Sequence, residues 1–205
     1  MELSLIITLA VFAFAMSATP GPNNMMLLAS GAQFGYRNTL PHIIGIILGI
    51  ALLNICILIG LGLVFKVYPM LYDLLKIIGS LYLLWLAWKI ASASTEKIKA
   101  GEQNRDNQGK PMTTFSAILF QFINPKAWAM AIGAVSTFTL PGELYIQSGL
   151  CILAVFATMG FIGISLWAFL GEGMRQFLTT STRRRNFNWF MGLCTAATIV
   201  MIVID

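Results

Sequence analysis

Charged residues are scarce in this chain: only 10% of its 205 residues are Asp, Glu, Lys or Arg. Acidic residues are missing from the middle of every long apolar segment, and His42 is the only histidine. An intramembrane enzyme would need a nucleophile with its base, or a metal motif such as H-E-x-x-H. The sequence therefore argues against an enzyme, and no cofactor is expected.

Cysteine is also rare, and the three cysteines lie far apart, each inside an apolar segment: Cys56, Cys151 and Cys194. This spacing matches neither a disulfide framework nor a zinc motif. Isolated cysteines in apolar surroundings behave as small hydrophobic side chains. The sequence therefore predicts no metal site.

Apolar residues make up 58% of the chain. Since about 20 apolar residues cross a bilayer core of roughly 30 Å, the chain is predicted to be an all-α integral membrane protein whose main partner is lipid. Its net charge of +5 fits basic loops of a membrane protein better than nucleic-acid binding. Six transmembrane helices are predicted, at about 3–33, 42–65, 71–90, 113–138, 145–170 and 187–204. A turn at 34–38 and Pro41 are expected to open the second of them.

The first predicted span is interrupted by Thr19-Pro20-Gly21-Pro22-Asn23-Asn24. Each proline lacks an N–H and clashes with the carbonyl four residues earlier, which frees the carbonyls of Met16 and Ala18. Unpaired backbone groups cost several kcal/mol each in lipid, so such a break persists only inside protein or beside a water-filled cavity. The motif therefore predicts a broken helix.

The fourth span contains a matching motif, Gln121-Phe122-Ile123-Asn124-Pro125-Lys126. Aligning Pro22 with Pro125 superposes two three-span halves, repeat 1 at about 1–92 and repeat 2 at about 113–205, joined by a solvated linker at 93–112. An odd number of spans in each half makes the second an inverted copy of the first. The two breaks are then expected to meet near the middle of the bilayer within one transmembrane domain, 1–205.

Basic residues are concentrated in alternate loops. The loops at 34–41, 89–113 and 171–186 hold ten basic residues, whereas the opposite side holds only Lys66 and Lys76. Cytoplasmic loops carry the excess of Lys and Arg. Both termini are therefore predicted to lie outside the cytoplasm.

The broken spans offer groups for each part of an amino acid. Free N–H groups at the starts of the half-helices suit a carboxylate, whereas freed carbonyls and amide side chains accept from an ammonium. The absence of acidic residues from the middles of the predicted spans favours a neutral zwitterion over a cationic substrate. The predicted substrate-binding residues are Pro20, Gly21, Pro22, Asn23, Asn24, Gln121, Asn124, Pro125 and Lys126.

Lys126 is the one charge predicted deep in the membrane, about 13 residues, or roughly 20 Å of helix, from either end of its span. Two functional roles are open: the lysine pairs with the substrate carboxylate, or it carries a proton during antiport. A structural role is weighed equally, in which Lys126 holds nearby carbonyls and stabilises the break.

The two proline motifs and the segment Leu81-Tyr82-Leu83-Leu84-Trp85-Leu86-Ala87-Trp88-Lys89 resemble the LysE/RhtB family of amino-acid exporters over essentially the whole chain. The resemblance implies a bacterial inner-membrane protein that exports amino acids or close derivatives with proton coupling. Residues 85–91 and 134–138 resemble the cysteine/O-acetylserine branch, with homoserine and threonine as further substrates to consider.

Other interpretations stay open at this stage. Relatives of this family also export metal cations, but hard cations prefer carboxylates and soft ones prefer clustered thiolates, and the breaks offer neither. A membrane scaffold would explain the glycine pairs, such as Gly31 with Gly35 and Gly45 with Gly49, but not the paired polar breaks. These small-residue pairs favour helix packing within one subunit, with a homodimer as the second role.

Overall fold

The computed structural model describes the backbone of residues 2–93 and 110–204 and side chains up to residue 200. Residues 94–109 of the predicted linker at 93–112 therefore fall outside the described residues. Within those residues the chain is helical and contains no strand. The helices are α1 (Leu3–Ala18), α2 (Pro22–Phe34), α3 (Tyr36–Leu58), α4 (Leu61–Val67), α5 (Pro69–Ala91), α6 (Thr114–Ile123), α7 (Pro125–Phe138), α8 (Tyr145–Met174) and α9 (Ser181–Ile204), with 3₁₀ turns at Gly142–Leu144 and Arg175–Phe177.

Both predicted breaks are present. The axes of α1 and α2 differ by 60°, and those of α6 and α7 by 75°. Pro22 and Pro125 are each the first residue of the second half-helix, where a missing N–H costs nothing because the first turn has no intrahelical partner for it. The alignment of these two prolines therefore matches equivalent structural positions.

Helices α3, α5 and α8 are each long and apolar enough to cross a membrane, and the two bent pairs reach that length and hydropathy together. Many large apolar side chains face outward, such as Met70, which is 82% exposed. A bilayer would cover such a surface, so the protein is a multi-pass membrane protein. Three to five spans follow from the described residues, so the arrangement of six spans in two inverted repeats stays a prediction.

The prediction for the second span was wrong at both ends. Gly35, with a φ of 83°, makes the turn alone, so α3 begins at Tyr36 and Pro41 lies inside it. At the other end, Gly60 adopts a left-handed conformation with a φ of 106°, which stops α3 and starts the separate short helix α4. Single glycines with positive φ were enough to end these helices.

The basic loop predicted at 171–186 is mostly helical. Helix α8 runs to Met174, and α9 begins at Ser181, six residues before the predicted span. The Thr180 side chain accepts from the N–H of Arg183 at 3.2 Å, which satisfies one of the donors that a helix start leaves unpaired. The three consecutive arginines therefore lie in the first turns of α9.

Glycines permit the closest helix contacts. A Cβ at Gly31 in α2 would lie 2.2 Å from the Ala168 carbonyl oxygen of α8, and one at Gly45 in α3 would lie 2.4 Å from the Thr114 carbonyl oxygen of α6. Helix α8 approaches α1 in the same manner at Gly163. These contacts agree with the predicted packing role of Gly31 and Gly45 within one subunit.

Candidate functional site

The first break consists of three residues between α1 and α2, Thr19, Pro20 and Gly21, of which Thr19 and Gly21 are extended. The carbonyls at the end of α1 find partners within the protein. The Thr19 hydroxyl donates to the Met16 carbonyl at 3.0 Å, and the indole N–H of Trp167 in α8 donates to the Ala18 carbonyl at 3.0 Å. In this conformation each of these carbonyls therefore accepts from a donor of the protein, and their predicted role toward an ammonium stays a prediction.

Asn24, which follows the first break, also binds back to α1. Its amide Nδ2 donates to the Ser17 carbonyl at 2.8 Å, and the side chain is buried. The hydroxyl of Ser17 is buried as well, and no partner for it is found among the described residues. Buried hydroxyls usually have a partner, so Ser17 is a site candidate that the sequence analysis missed.

The second break is a single extended residue, Asn124. Its side-chain oxygen accepts from the Lys126 N–H at 3.2 Å and so caps the start of α7. The Gln121 carbonyl, freed by Pro125, accepts from the Asn124 N–H at 3.3 Å, and the Phe122 carbonyl accepts from the Trp128 indole at 2.9 Å. This break is also closed by the protein's own donors.

The two breaks meet through a pair of amide side chains. Asn23 Nδ2 donates to Gln121 Oε1 at 2.8 Å, and Gln121 Nε2 donates back to Asn23 Oδ1 at 3.2 Å. Asn23 is 9% exposed and Gln121 is fully buried. Buried amide pairs with both partners satisfied fix the relative position of the elements that carry them.

Lys126 makes the second connection between the breaks. Its ammonium donates to the Thr19 carbonyl at 2.9 Å, to the Thr19 hydroxyl at 3.0 Å and to the Pro20 carbonyl at 3.2 Å. A lysine ammonium has three donors, and each has an acceptor here. In this conformation Lys126 therefore holds carbonyls of the other break, and its predicted roles toward a substrate carboxylate or a proton stay predictions.

Gly21 makes room for this lysine. A Cβ at Gly21 would lie 2.8 Å from Lys126 Cδ and 2.9 Å from Lys126 Nζ. Its φ of −176° is extended backbone that any residue adopts. The requirement for glycine is therefore one of space for the lysine side chain.

A cavity of about 20 Å³ lies between the breaks. It is lined by five of the nine predicted residues, Pro22, Asn23, Asn24, Asn124 and Lys126, together with Met16, Ser17, Ile50, Ala127, Met130 and Ile164. This space holds about one water molecule and is too small for an amino acid. Gln121 does not line it but holds Asn23 in place.

A second cavity, of about 340 Å³, lies on the other side of Lys126. Pro20, Gly21 and Pro125 line this larger space, so eight of the nine predicted residues contact one cavity or the other. The larger cavity also reaches Lys76 and Tyr72 of α5, which the sequence analysis did not place in the site. Their positions depend on how α5 packs, which no local motif indicates.

Among the described residues, no group of three or more His, Cys, Asp and Glu side chains is placed to hold a metal ion. The partial positive charges at the starts of α2 and α7, together with Lys126, make the region between the breaks favourable for an anionic group. The amide side chains of Asn23 and Asn124 line the cavity in the same region.

Comparison with known proteins identifies the family of the chain. The chain is 30% identical over 171 residues, 82% of its own length and 83% of theirs, to the cysteine/O-acetylserine efflux proteins of Escherichia coli strain K12 and Shigella sonnei strain Ss046. No solved structure matches it. The model of the family described as LysE type translocator matches residues 14–203. The chain therefore belongs to the LysE family of translocators.

Proposed function

We propose that this protein is a secondary transporter, not an enzyme, that exports small neutral amino acids or their derivatives from the cytoplasm. The observation that carries the proposal is the direct connection of the two broken helices through Lys126 and Thr19. Paired interrupted helices near the membrane midplane are where secondary transporters bind substrate. The names of the relatives make cysteine and O-acetylserine the first substrates to test.

The residues of the breaks have separate roles in this proposal. The amides of Asn23, Asn24 and Asn124 line the cavity between the breaks and offer hydrogen bonds to the ammonium and carboxylate of the substrate. Lys126 leaves the Thr19 and Pro20 oxygens when a carboxylate arrives and pairs with it instead. The site then holds the zwitterion without any buried acidic side chain.

Transport requires the protein to open from this conformation. The cavity of about 20 Å³ between the breaks has to expand before an amino acid enters. In an inverted repeat, rocking of one half against the other opens the site to each side in turn. The packing of α3 on α6, repeated by α8 on α1, supports such a repeat.

We also propose a location and an energy source. The arrangement of basic loops supports a bacterial inner-membrane protein with both termini outside the cytoplasm. Export against a gradient needs coupling, and Lys126 is the candidate to bind and release the coupling proton, because it lines both cavities.

Export from cells preloaded with dipeptides tests this proposal. The wild-type protein is compared with Asn124→Ala, which removes a cavity amide, and with Asn38→Ala, the same change at an exposed position of α3. We expect cysteine or O-acetylserine to leave faster with the wild-type and the Asn38→Ala protein, and not with Asn124→Ala at equal expression. Unchanged export of every amino acid on expression of the wild-type protein would contradict the function.

A further inference from the structure

The larger cavity beside Lys126 has an unusual combination of size and charge. Its volume of about 340 Å³ is large enough for a small ligand, unlike the space between the breaks. Lys76 and Lys126 both line it, together with Tyr72, Thr19 and Thr198. None of the described residues that line it is acidic.

The cavity lies in the half of the molecule away from the arginines of α9. Tyr72 and Lys76 are in the first turns of α5, whereas the other end of α5 meets the start of α9, where Asn188 Nδ2 donates to the Ala93 carbonyl at 3.1 Å. Since an arginine-rich end is expected in the cytoplasm, the cavity belongs to the outer half of the membrane. An exported substrate would reach this space last.

The two lysines differ in what they contact. The donors of Lys126 are used by Thr19 and Pro20. Lys76 Nζ lies 5.3 Å from the centroid of the Tyr72 ring, close enough for a cation–π interaction. Two positive charges that line one mostly apolar cavity repel each other, which raises the free energy of the protein while the cavity is empty. An anion bound between them lowers this free energy.

We propose that this cavity is an exit-side subsite for the carboxylate of the outgoing amino acid, with Lys76 as the residue that binds it. The inference rests on the proposed function and adds a residue and a position to it. As the substrate leaves the amides of the breaks, its carboxylate moves from Lys126 to Lys76. Lys126 then returns to the Thr19 and Pro20 oxygens, which is the conformation described here.

Binding to the purified full-length protein in detergent tests the subsite. The probes are cysteine, 3-mercaptopropionate, which lacks the amine, and cysteamine, which lacks the carboxylate, each with a phosphine reductant. The readout is the ligand concentration that gives half of the maximal thermal stabilisation. We expect 3-mercaptopropionate to stabilise the wild-type protein and cysteamine not to do so.

The variant Lys76→Gln should raise the half-saturating concentration of 3-mercaptopropionate at least roughly tenfold, since a charge-assisted contact is lost. Lys66→Gln, at an exposed lysine in α4, serves as the matched control and should leave it unchanged. Lys76→Arg keeps the charge and should keep the binding, which separates a lost ligand from a lost fold.

Two results would overturn the subsite. One is equal stabilisation of the wild-type protein by cysteamine and 3-mercaptopropionate. The other is a Lys76→Gln protein that binds 3-mercaptopropionate as tightly as Lys66→Gln does. Either result leaves the export measurement on the wild-type protein standing, whereas a wild-type protein that exports no amino acid removes the proposed function instead.

Discussion

The two helix breaks occupy equivalent positions, but they differ in what they offer. The first break leaves Thr19 and Pro20 exposed and presents oxygen atoms, whereas the second is one buried residue, Asn124, and presents the ammonium of Lys126. The acceptors of one break therefore receive the donors of the other. The two proline motifs therefore complement each other, and neither break forms a complete binding site alone.

Removing the donor should have the largest effect on function. Lys126→Met leaves the Thr19 and Pro20 oxygens without their cation and takes away the proposed carboxylate partner. We expect export of cysteine or O-acetylserine to fall more than tenfold in preloaded cells at equal expression. Lys66→Met, at an exposed lysine, should export normally. Wild-type rates from Lys126→Met would mean that the connection between the breaks is structural only.

Filling the space that the lysine occupies should have the next largest effect. The added Cβ of Gly21→Ala would lie 2.8 Å from Lys126 Cδ, so the lysine has to move away from the first break. Because these atoms are at the flexible end of a side chain that lines the cavity of about 340 Å³, the lysine can shift at little cost in unfolding free energy. The expected effect is reduced export, since the contacts of Lys126 with Thr19 and Pro20 are disturbed. Gly133→Ala, whose Cβ would lie 3.6 Å from Phe12 Cζ, serves as the control and should export as the wild-type protein does. Equal export by the two variants would contradict the account.

Substitutions in the amide pair should have a smaller effect, and they test one contact between the breaks. Asn23→Ala and Gln121→Ala each remove one partner of a buried pair. Their combined effect on the unfolding free energy should be smaller than the sum of the single effects by about 1 kcal/mol. Strictly additive effects in chemical denaturation would show that the amides do not join the breaks in solution.

Substitution of one tryptophan at each break compares the breaks directly and should have the smallest effects. Trp167→Phe removes the donor to the Ala18 carbonyl at the first break, and Trp128→Phe removes the donor to the Phe122 carbonyl at the second. Each should cost about 1 kcal/mol in unfolding free energy. The cost should be greater for the buried Trp128 than for the half-buried Trp167. A greater cost for Trp167→Phe than for Trp128→Phe would show that the first break depends more on its indole donor than the second break does.

The sequence predicted the breaks because proline removes an N–H wherever it occurs, so Pro22 and Pro125 mark helix starts without any tertiary information. It did not predict that Lys126 binds Thr19, because the two residues are 107 positions apart and their contact depends on how the half-helices pack. For the same reason the partner of the Ala18 carbonyl, Trp167, was not foreseen.

The only histidine was also placed wrongly. The predicted span at 42–65 placed His42 at the end of a helix, but it is 1% exposed, and neither ring nitrogen has a partner among the described residues. The error follows from the turn at 34–38: because α3 begins at Tyr36, His42 lies in its second turn and packs inside the protein. The positive φ of Gly35 sets the residue at which α3 begins. The hydrophobic periodicity of the sequence does not indicate that conformation.

The central claim is that Lys126 of the second break binds the oxygens of the first, and a double-mutant cycle tests it most directly. The unfolding free energies of the wild-type protein, Thr19→Val, Lys126→Met and the double variant are measured in detergent. We predict that Thr19→Val costs about 1 kcal/mol more in the wild-type background than in the Lys126→Met background, where only the bond from its hydroxyl to the Met16 carbonyl is still lost. An equal cost in both backgrounds would contradict the contact between the Lys126 ammonium and the Thr19 hydroxyl.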